Sequence, residues 1–290
     1  FNISIVHARS RAPAWSCLLA TKLTRRKFVT TFHGTYNFNN SLKKFYNSVM
    51  VRSHLVIAGS NFIFNHINDN YGNFFRDTNR KLLVIFRGIN TNYFNPPKVL
   101  PSKIDKFSKE NQIDRNKFVI LLPGRLTYWK GQKIFIEAIK LITEQENNQS
   151  LEGIILGSDQ KRNVYKKQLV GLVEQYRLNK IIKFIDHCEE MPIAYRIANI
   201  VVSASFEPEA FGRISVEAQS MQVPIVASNI GGSRETIVND VTGFLFENKD
   251  AKHLANIITT LMQKDYNSIK SIGVAGRKNV LKKFDVDKMC

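Results

Sequence analysis

The chain of 290 residues is 43% hydrophobic and 23% charged, a soluble, globular balance with material for one large core or two domains. No run reaches the roughly 18 apolar residues that a membrane-spanning helix needs. The formal net charge of +18 suits anionic partners such as nucleotide diphosphates, acidic lipid surfaces or nucleic acid, although composition bias in a chain rich in Asn, Ile and Phe gives the same number.

Cysteine usage is uninformative about metals. Cys17, Cys188 and Cys290 are odd in number and lack ligand spacing, which argues against a disulfide framework and for a reducing compartment. The chain starts at Phe1 with no basic-then-apolar leader and is expected to be a fragment.

In chain order, Ile3–Val6 is a short apolar run that ends in HARSRAPAW, His7 to Trp15, and a helix is expected over Ala14–Thr21. Phe28–Phe32 is β-branched and aromatic and breaks at His33-Gly34-Thr35. A helical stretch over Leu42–Val51, a strand at Leu55–Ala58, a helix opened by Ser60 or Asn61 as N-cap and a strand at Leu82–Phe86 follow. Strands alternating with helices predict a parallel sheet in an α/β layer. Ligands of such sheets sit outside the carboxyl ends of the strands, where His7, Arg9, Arg11 and His33 fall. A lone His after a strand is commonly a structural hydrogen-bonder.

The prolines Pro96, Pro97 and Pro101 amid many charges make residues 101–116 an expected interdomain linker. A second series then begins with a strand at Phe118–Leu122. The loop Gly124-Arg125-Leu126-Thr127-Tyr128-Trp129-Lys130-Gly131 leads into a helix over Gln132–Ile142. Arg125 offers a planar fork and Lys130 a point charge beside a helix start, a combination that suits a diphosphate; basic surface residues are the plainer reading.

Strands follow at Gly153–Gly157 and Ile181–Ile185, separated by a basic helix from about Lys161 to Arg177. His187 beside Cys188 has no partner at ligand spacing, so no metal is expected there. After a short helix at Met191–Ala198 comes the buried-type strand Ile200–Ala204, then SFEPEAFGRISVE, Ser205 to Glu217. Glu209 is expected in the loop at the strand's carboxyl end, Gly212 at the start of a helix, and Glu217 a turn or more inside it. Free amides and the positive dipole end at Phe211–Gly212 would seat a phosphate. Taken alone, two Glu flanking an amphipathic helix read as solvated surface.

Several segments together carry a resemblance. SFEPEAFGRISVE resembles the E-x7-E signature of retaining nucleotide-sugar glycosyltransferases of the GT-B class, family 4, and GR-x4-KG precedes it in the order found there. TFHGT looks like the family loop whose His faces donor sugar and acceptor. VIFRGINTNYFNP resembles V-I-P-R-G-I-D-x-x-x-F-x-P, with Phe86 for Pro and Asn90 for Asp. Asn90 keeps a turn-forming side chain and loses its charge. The loop from Asp186 to Pro192 corresponds to the family's base-cradling loop, and Val241–Phe246 is similar to its T-G-x-L strand. Gln222 stands where M-G-x-P has Gly, a strain on the turn if φ is positive.

The resemblance implies an α/β fold of GT-B type, two Rossmann-like domains facing a cleft, with the amino-terminal one incomplete because no glycine-rich turn precedes Phe1. Residues 1–100 would form the partial acceptor-side domain, and residues 117–290 the nucleotide-sugar-binding domain. The implied activity moves a sugar, with retained configuration, from a nucleotide-sugar to a hydroxyl of a saccharide or lipid-linked acceptor. HARSRAPAW and EPEAFGR point to surface polysaccharide or lipopolysaccharide core synthesis. Catalytic roles are implied for Glu209, His33, Arg125 and Lys130, and donor binding for Gly124, Arg125, Lys130, Glu209, Phe211, Gly212 and Glu217.

No cofactor and no metal are expected. The expected setting is cytoplasmic, peripheral at an anionic inner membrane face. Two other classes stay open: an inactive truncated remnant that only binds nucleotide, and a basic nucleic-acid-binding protein, for which the chain shows no motif.

Overall fold

Two parallel sheets organise the computed structural model, which describes residues 2–36, 40–76, 78–146, 150–160 and 163–289. Phe1, Lys161 and Cys290, which figure in the sequence reading, lie outside the described residues. The chain divides into two units. The first runs up to Arg87 and also takes Pro208–Phe211 and Met289; the second comprises Gly88–Glu207 and Gly212–Lys288.

In the first unit, β1 (Ile5–Ala8), α1 (Arg11–Thr24), β2 (Lys27–Phe32), α2 (Ser41–Asn47), β3 (Leu55–Ala58), α3 (Asn61–Tyr71) and β4 (Lys81–Val84) alternate. The four-stranded sheet has the order β1-β2-β3-β4, parallel throughout. Phe28, Phe32, Met50, Val56, Ile63 and Ile67 are buried in its core. Ser60 is the N-cap of α3, its Oγ accepting from the Ile63 N–H at 3.2 Å, which satisfies one of the helix's orphan donors. The expected helix at Leu42–Val51 is split: α2 ends at Asn47, and Ser48–Val51 tightens into a 3-10 turn whose four residues are all buried.

The second unit holds α4 (Pro101–Glu110), β5 (Phe118–Pro123), α5 (Gln132–Glu146), β6 (Leu151–Leu156), α6 (Asn163–Gln175) and β7 (Ile182–Ile185). Then follow α7 (Met191–Ile197), β8 (Ile200–Ser203), α8 (Arg213–Ser220), β9 (Ile225–Ser228), α9 (Ser233–Thr236) and β10 (Phe244–Phe246), and the chain closes with α10 (Ala251–Met262), α11 (Tyr266–Lys283) and α12 (Val286–Met289). The six-stranded sheet runs β10-β9-β8-β5-β6-β7. Its central strands are near-continuous apolar runs, as burial on both faces demands. β5 is flanked by β6 on one side and β8 on the other, so the strand order reverses there. At that switch point loops leave in opposite directions and open a crevice.

Residues 88–116 differ from the sequence expectation. Residues 88–100 join the second unit rather than the first, because Ile89 exchanges backbone hydrogen bonds with Phe284 and Val286, each at 2.9 Å. Arg277 also donates to Phe94 O at 2.9 Å and to Asn95 Oδ1 at 3.0 Å. Most of the expected linker, residues 101–116, is α4: Pro101 has the fixed φ that suits a first helical residue, and Ile104 and Ser108 give the helix a buried face.

Candidate active site

Within the second unit, the carboxyl ends of β5 and β8 are drawn together through Gly131. It has a φ of 73°, and a Cβ there would stand 1.9 Å from Ala204 O, so only glycine lets the loop after β5 lie against the end of β8. Phe206 N–H donates to Trp129 O at 2.9 Å and extends the contact. The same loop is fixed from below by Gln132, fully buried, whose Nε2 donates to Arg125 O at 2.9 Å. Arg125 itself is exposed. The Lys130 ammonium lies 4.5 Å from the Trp129 ring centroid, a cation–π arrangement that orients it. Beside Gly124, the Lys130 Cδ and the Ile214 Cδ1 lie 3.7 and 3.8 Å from where a Cβ would stand. Gly124, Lys130 and the first turn of α8 are therefore neighbours.

Gly212 caps α8 with a φ of 79°, as its place at the helix start predicts. Glu217 lies one turn in and is only 7% exposed. Tyr195 donates its hydroxyl to Glu217 Oε2 at 2.8 Å, and Arg213 Nε reaches Oε1 at 2.6 Å. Burial pushes the Glu217 carboxyl above its ordinary range, against the pull of the Tyr195 hydrogen bond and the Arg213 charge. Each oxygen keeps a further lone pair for a ligand hydroxyl. The sequence reading missed Arg213 and Tyr195. Arg213 was findable, because it stands four residues before Glu217 on one helix face; Tyr195, on α7, carries no sequence signal for this role.

Asn90 holds a turn. Its Oδ1 accepts from Asn92 N–H at 3.0 Å and from Tyr93 N–H at 2.9 Å, work that needs an acceptor and no charge.

In the first unit, cations gather at the carboxyl ends of the strands. Arg9 Nε donates to His33 Nε2 at 3.1 Å, and His7 Nε2 pairs with Thr31 Oγ1 at 2.7 Å. Burial, with Arg87, Arg9 and His7 adding positive charge, lowers the His33 pKa to about 4. His33 is then neutral at neutral pH. Because Nε2 accepts from Arg9, Nδ1 carries the proton, and that buried nitrogen has no hydrogen-bond partner among the described residues. A ligand oxygen arriving at this edge would satisfy it. Ala210, which belongs to the first unit, packs against that unit's core, and Ser60 donates to Ala210 O at 2.5 Å. Of the sequence-predicted residues, His33, Glu209 and Phe211 belong to the first unit. The second unit brings together Gly124, Arg125, Lys130, Gly212 and Glu217. Glu209 is half-buried and Phe211 buried.

The family described as "Glycosyl transferases group 1" matches residues 103–279, and "Glycosyltransferase Family 4" matches residues 1–93. A capsular polysaccharide biosynthesis glycosyltransferase, CapM, from Staphylococcus aureus is 31% identical over 176 residues, covering 61% of this chain and 44% of its own. The chain thus spans less than half the length of that curated relative. The crystal structure of a glycosyltransferase from Rickettsia africae is similar with a TM-score of 0.89 at 38% identity, over 99% of this chain and 74% of that one. Anabaena Alr3699/HepE, solved in complex with UDP and glucose, has a TM-score of 0.87 at 25% identity, over 99% and 75% of the two chains.

Proposed function

The chain belongs to the glycosyl transferases of group 1, a family of GT-B fold, and from that premise we propose that it carries the donor half of a retaining nucleotide-sugar transfer. The observation that supports this most is the junction of β5 and β8 at the switch point, with Lys130 beside Gly124 and the first turn of α8. Arg125 and Lys130 are assigned to the donor's phosphates. The departing diphosphate accumulates negative charge on its oxygens, and preorganised cations and amides aimed at that charge lower the barrier. Amides at Phe211–Gly212 join them, and the reading calls on no metal.

Glu209 is assigned to the hydroxyls of the donor sugar and Glu217 to those of the ribose, with Tyr195 and Arg213 holding Glu217 in place. His33 is assigned to the sugar and acceptor side as a neutral Nδ1–H donor. The acceptor hydroxyl attacks the anomeric carbon from the face that the diphosphate leaves. Its oxygen forms the new glycosidic bond as the bond to phosphate breaks, and its proton passes to the departing phosphate oxygen.

The UDP–glucose complex of HepE makes UDP the first nucleotide to test. The capsular polysaccharide relative supports a saccharide or lipid-linked acceptor in surface polysaccharide synthesis. The net charge of +18 supports a place at an anionic membrane face.

Thermal unfolding with UDP, GDP and ADP, each beside an Arg125→Ala/Lys130→Ala control, tests the donor site. A ligand at a hundred times its dissociation constant adds about 2.7 kcal/mol. Stabilisation by one nucleotide, lost in the control, identifies the base. No shift with any of them sinks the donor reading.

A further inference from the structure

We propose that the first unit holds a second anion site, at the amino ends of its strands, that takes the phosphate group of a phosphorylated ligand. It is a cavity of about 490 Å³, within the range of small-molecule pockets. It lies at the end of the sheet opposite to His7, Arg9 and His33. Lys22, Arg25 and Arg26 enter it from the end of α1, Arg52 and His54 from the segment before β3, and Arg80 from the residue before β4. No carboxylate lines it, and none of the six forms an ion pair, among the described residues.

The charge is concentrated on this unit. Residues 1–87 contain five Lys and eight Arg against Asp69 and Asp77 as the acids. Cations at the end of α1 are favoured by the helix dipole alone, which accounts for Lys22 and its neighbours. It does not account for Arg52 and Arg80, which come from other elements. Both are pinned by neutral groups. Arg52 Nε donates to Ser48 Oγ at 3.1 Å, and its guanidinium lies 5.4 Å from each of the Phe45 and Phe74 ring centroids. Arg80 Nη1 donates to Phe74 O at 3.1 Å. These contacts fix the side chains and leave their charge uncompensated, the state that binds an anion without reorganisation.

His54 adds a donor. Phe28 N–H donates to its Nδ1 at 3.1 Å, so Nε2 carries the proton.

Arg25 offers a variant that separates binding from stability. It terminates α1 in the left-handed region, with a φ of 54°, where glycine is the comfortable residue. The same conformation occurs at Arg177 and Lys249, so it serves here as a handle for the test: glycine at position 25 relieves the strain while removing a cation of the cavity.

The phosphate can belong to a lipid headgroup or to a soluble phosphate ester, and the test has an arm for each. The full chain would be titrated calorimetrically with glycerol 3-phosphate and sedimented with vesicles of phosphatidylglycerol in phosphatidylcholine, against phosphatidylcholine alone. Three variants accompany it: Lys22→Ser/Arg26→Ser, Arg25→Gly, and Arg125→Ala/Lys130→Ala. Binding in at least one arm is expected to weaken at least tenfold in the first two and to stay within threefold in the third. Loss confined to the vesicle arm assigns the lipid source, and loss in the glycerol 3-phosphate arm the soluble one. Arg25→Gly is expected to raise the melting temperature while binding falls, which no folding defect can mimic. Absence of binding in both arms overturns the proposal, and so does binding that Arg25→Gly and the double variant leave unchanged. Because the donor reading stands on Arg125 and Lys130, the third variant keeps its failure distinct from this one.

Discussion

Tyr195, fully buried on α7, donates its hydroxyl to the inward oxygen of Glu217 at 2.8 Å, while Arg213 meets the other oxygen from an exposed position. The two partners are unequal. Tyr195→Phe leaves a buried acceptor unsatisfied and is expected to cost about 1–3 kcal/mol in denaturant unfolding. Arg213→Ala removes the exposed partner and leaves Glu217 the Tyr195 hydrogen bond, so it should cost less than Tyr195→Phe. The pH dependence follows from the direction of the Glu217 shift. Its pKa is raised in the folded chain by burial first, so the folded state binds the proton more readily. The contribution to stability is full below the unfolded carboxyl's pKa and is lost as pH rises through the folded one. Removing the Tyr195 hydrogen bond, which lowers the pKa, should widen that window. Equal costs for the two variants would sink the asymmetry.

Kinetics separate the two ends of the donor site. On the proposed assignment, Arg125→Ala removes charge that matters most as the diphosphate departs, so turnover in the full-length protein should fall tenfold or more. With Glu217 assigned to the ribose, Glu217→Ala should chiefly raise KM. Steady-state rates on UDP-glucose, with GDP- and ADP-sugars alongside, check both; an Arg125 variant with unaltered kinetics contradicts the phosphate assignment.

His33 gives an acid signature. Its pKa is lowered to about 4 by burial and by Arg87, Arg9 and His7, so between that value and about 6.5 the unfolded chain binds the extra proton and the folded chain does not. The stability is present above the unfolded value and is lost as pH falls through the folded one. His33→Asn should flatten the stability loss across that interval, and histidine NMR should find His33 titrating at about 4. An ordinary titration near neutrality would refute the buried, cation-flanked environment.

Gly131 tests the junction of β5 and β8. Gly131→Ala adds a Cβ 1.9 Å from Ala204 O at a φ of 73°. The backbone strain alone costs about 1–2 kcal/mol, and the overlap adds to it. The loop that holds Arg125 and Lys130 must then shift, so nucleotide affinity should fall together with the unfolding midpoint.

Local patterns made most of this legible. Apolar β-branched runs located the strands to within about three residues, and Ser60-Asn61 announced α3, with Ser60 the cap, because a short polar side chain before an apolar run caps a helix. The loop from Gly124 to Gly131 and the helix start at Gly212 could be placed because strand, glycine and helix occur in sequence order. What was illegible depends on tertiary contacts. Tyr195 meets Glu217 through one long-range hydrogen bond between residues 22 apart, and nothing in their local sequences marks the pair. Residues 101–116 looked like a linker because prolines and charges dominate them, yet Pro101 starts a helix that buries Ile104. The cation cavity at the amino ends of the first sheet draws on three separated segments, so no spacing in the sequence announces it.

Gln222 is the departure from M-G-x-P whose cost depends on its backbone, and its φ is 58°, in the left-handed region. It follows the end of α8, with its N–H donating to Gln219 O at 3.0 Å, the position where glycine commonly ends a helix. A side chain there costs about 1–2 kcal/mol, partly offset because glycine would lose about 0.4–1 kcal/mol more entropy on folding. Gln222→Gly should therefore stabilise the chain by up to about 1.6 kcal/mol. The turn has a second constraint: a Cβ on Gly273, in α11, would stand 2.0 Å from Gln222 O, so α11 lies directly against this backbone. Gly273→Ala should be strongly destabilising, and Gln222→Gly should not rescue it, since the clash is with a carbonyl that both variants retain. Denaturant midpoints of the two single variants and the double variant measure this. A destabilised Gln222→Gly would mean that the glutamine side chain makes contacts worth more than the strain it imposes.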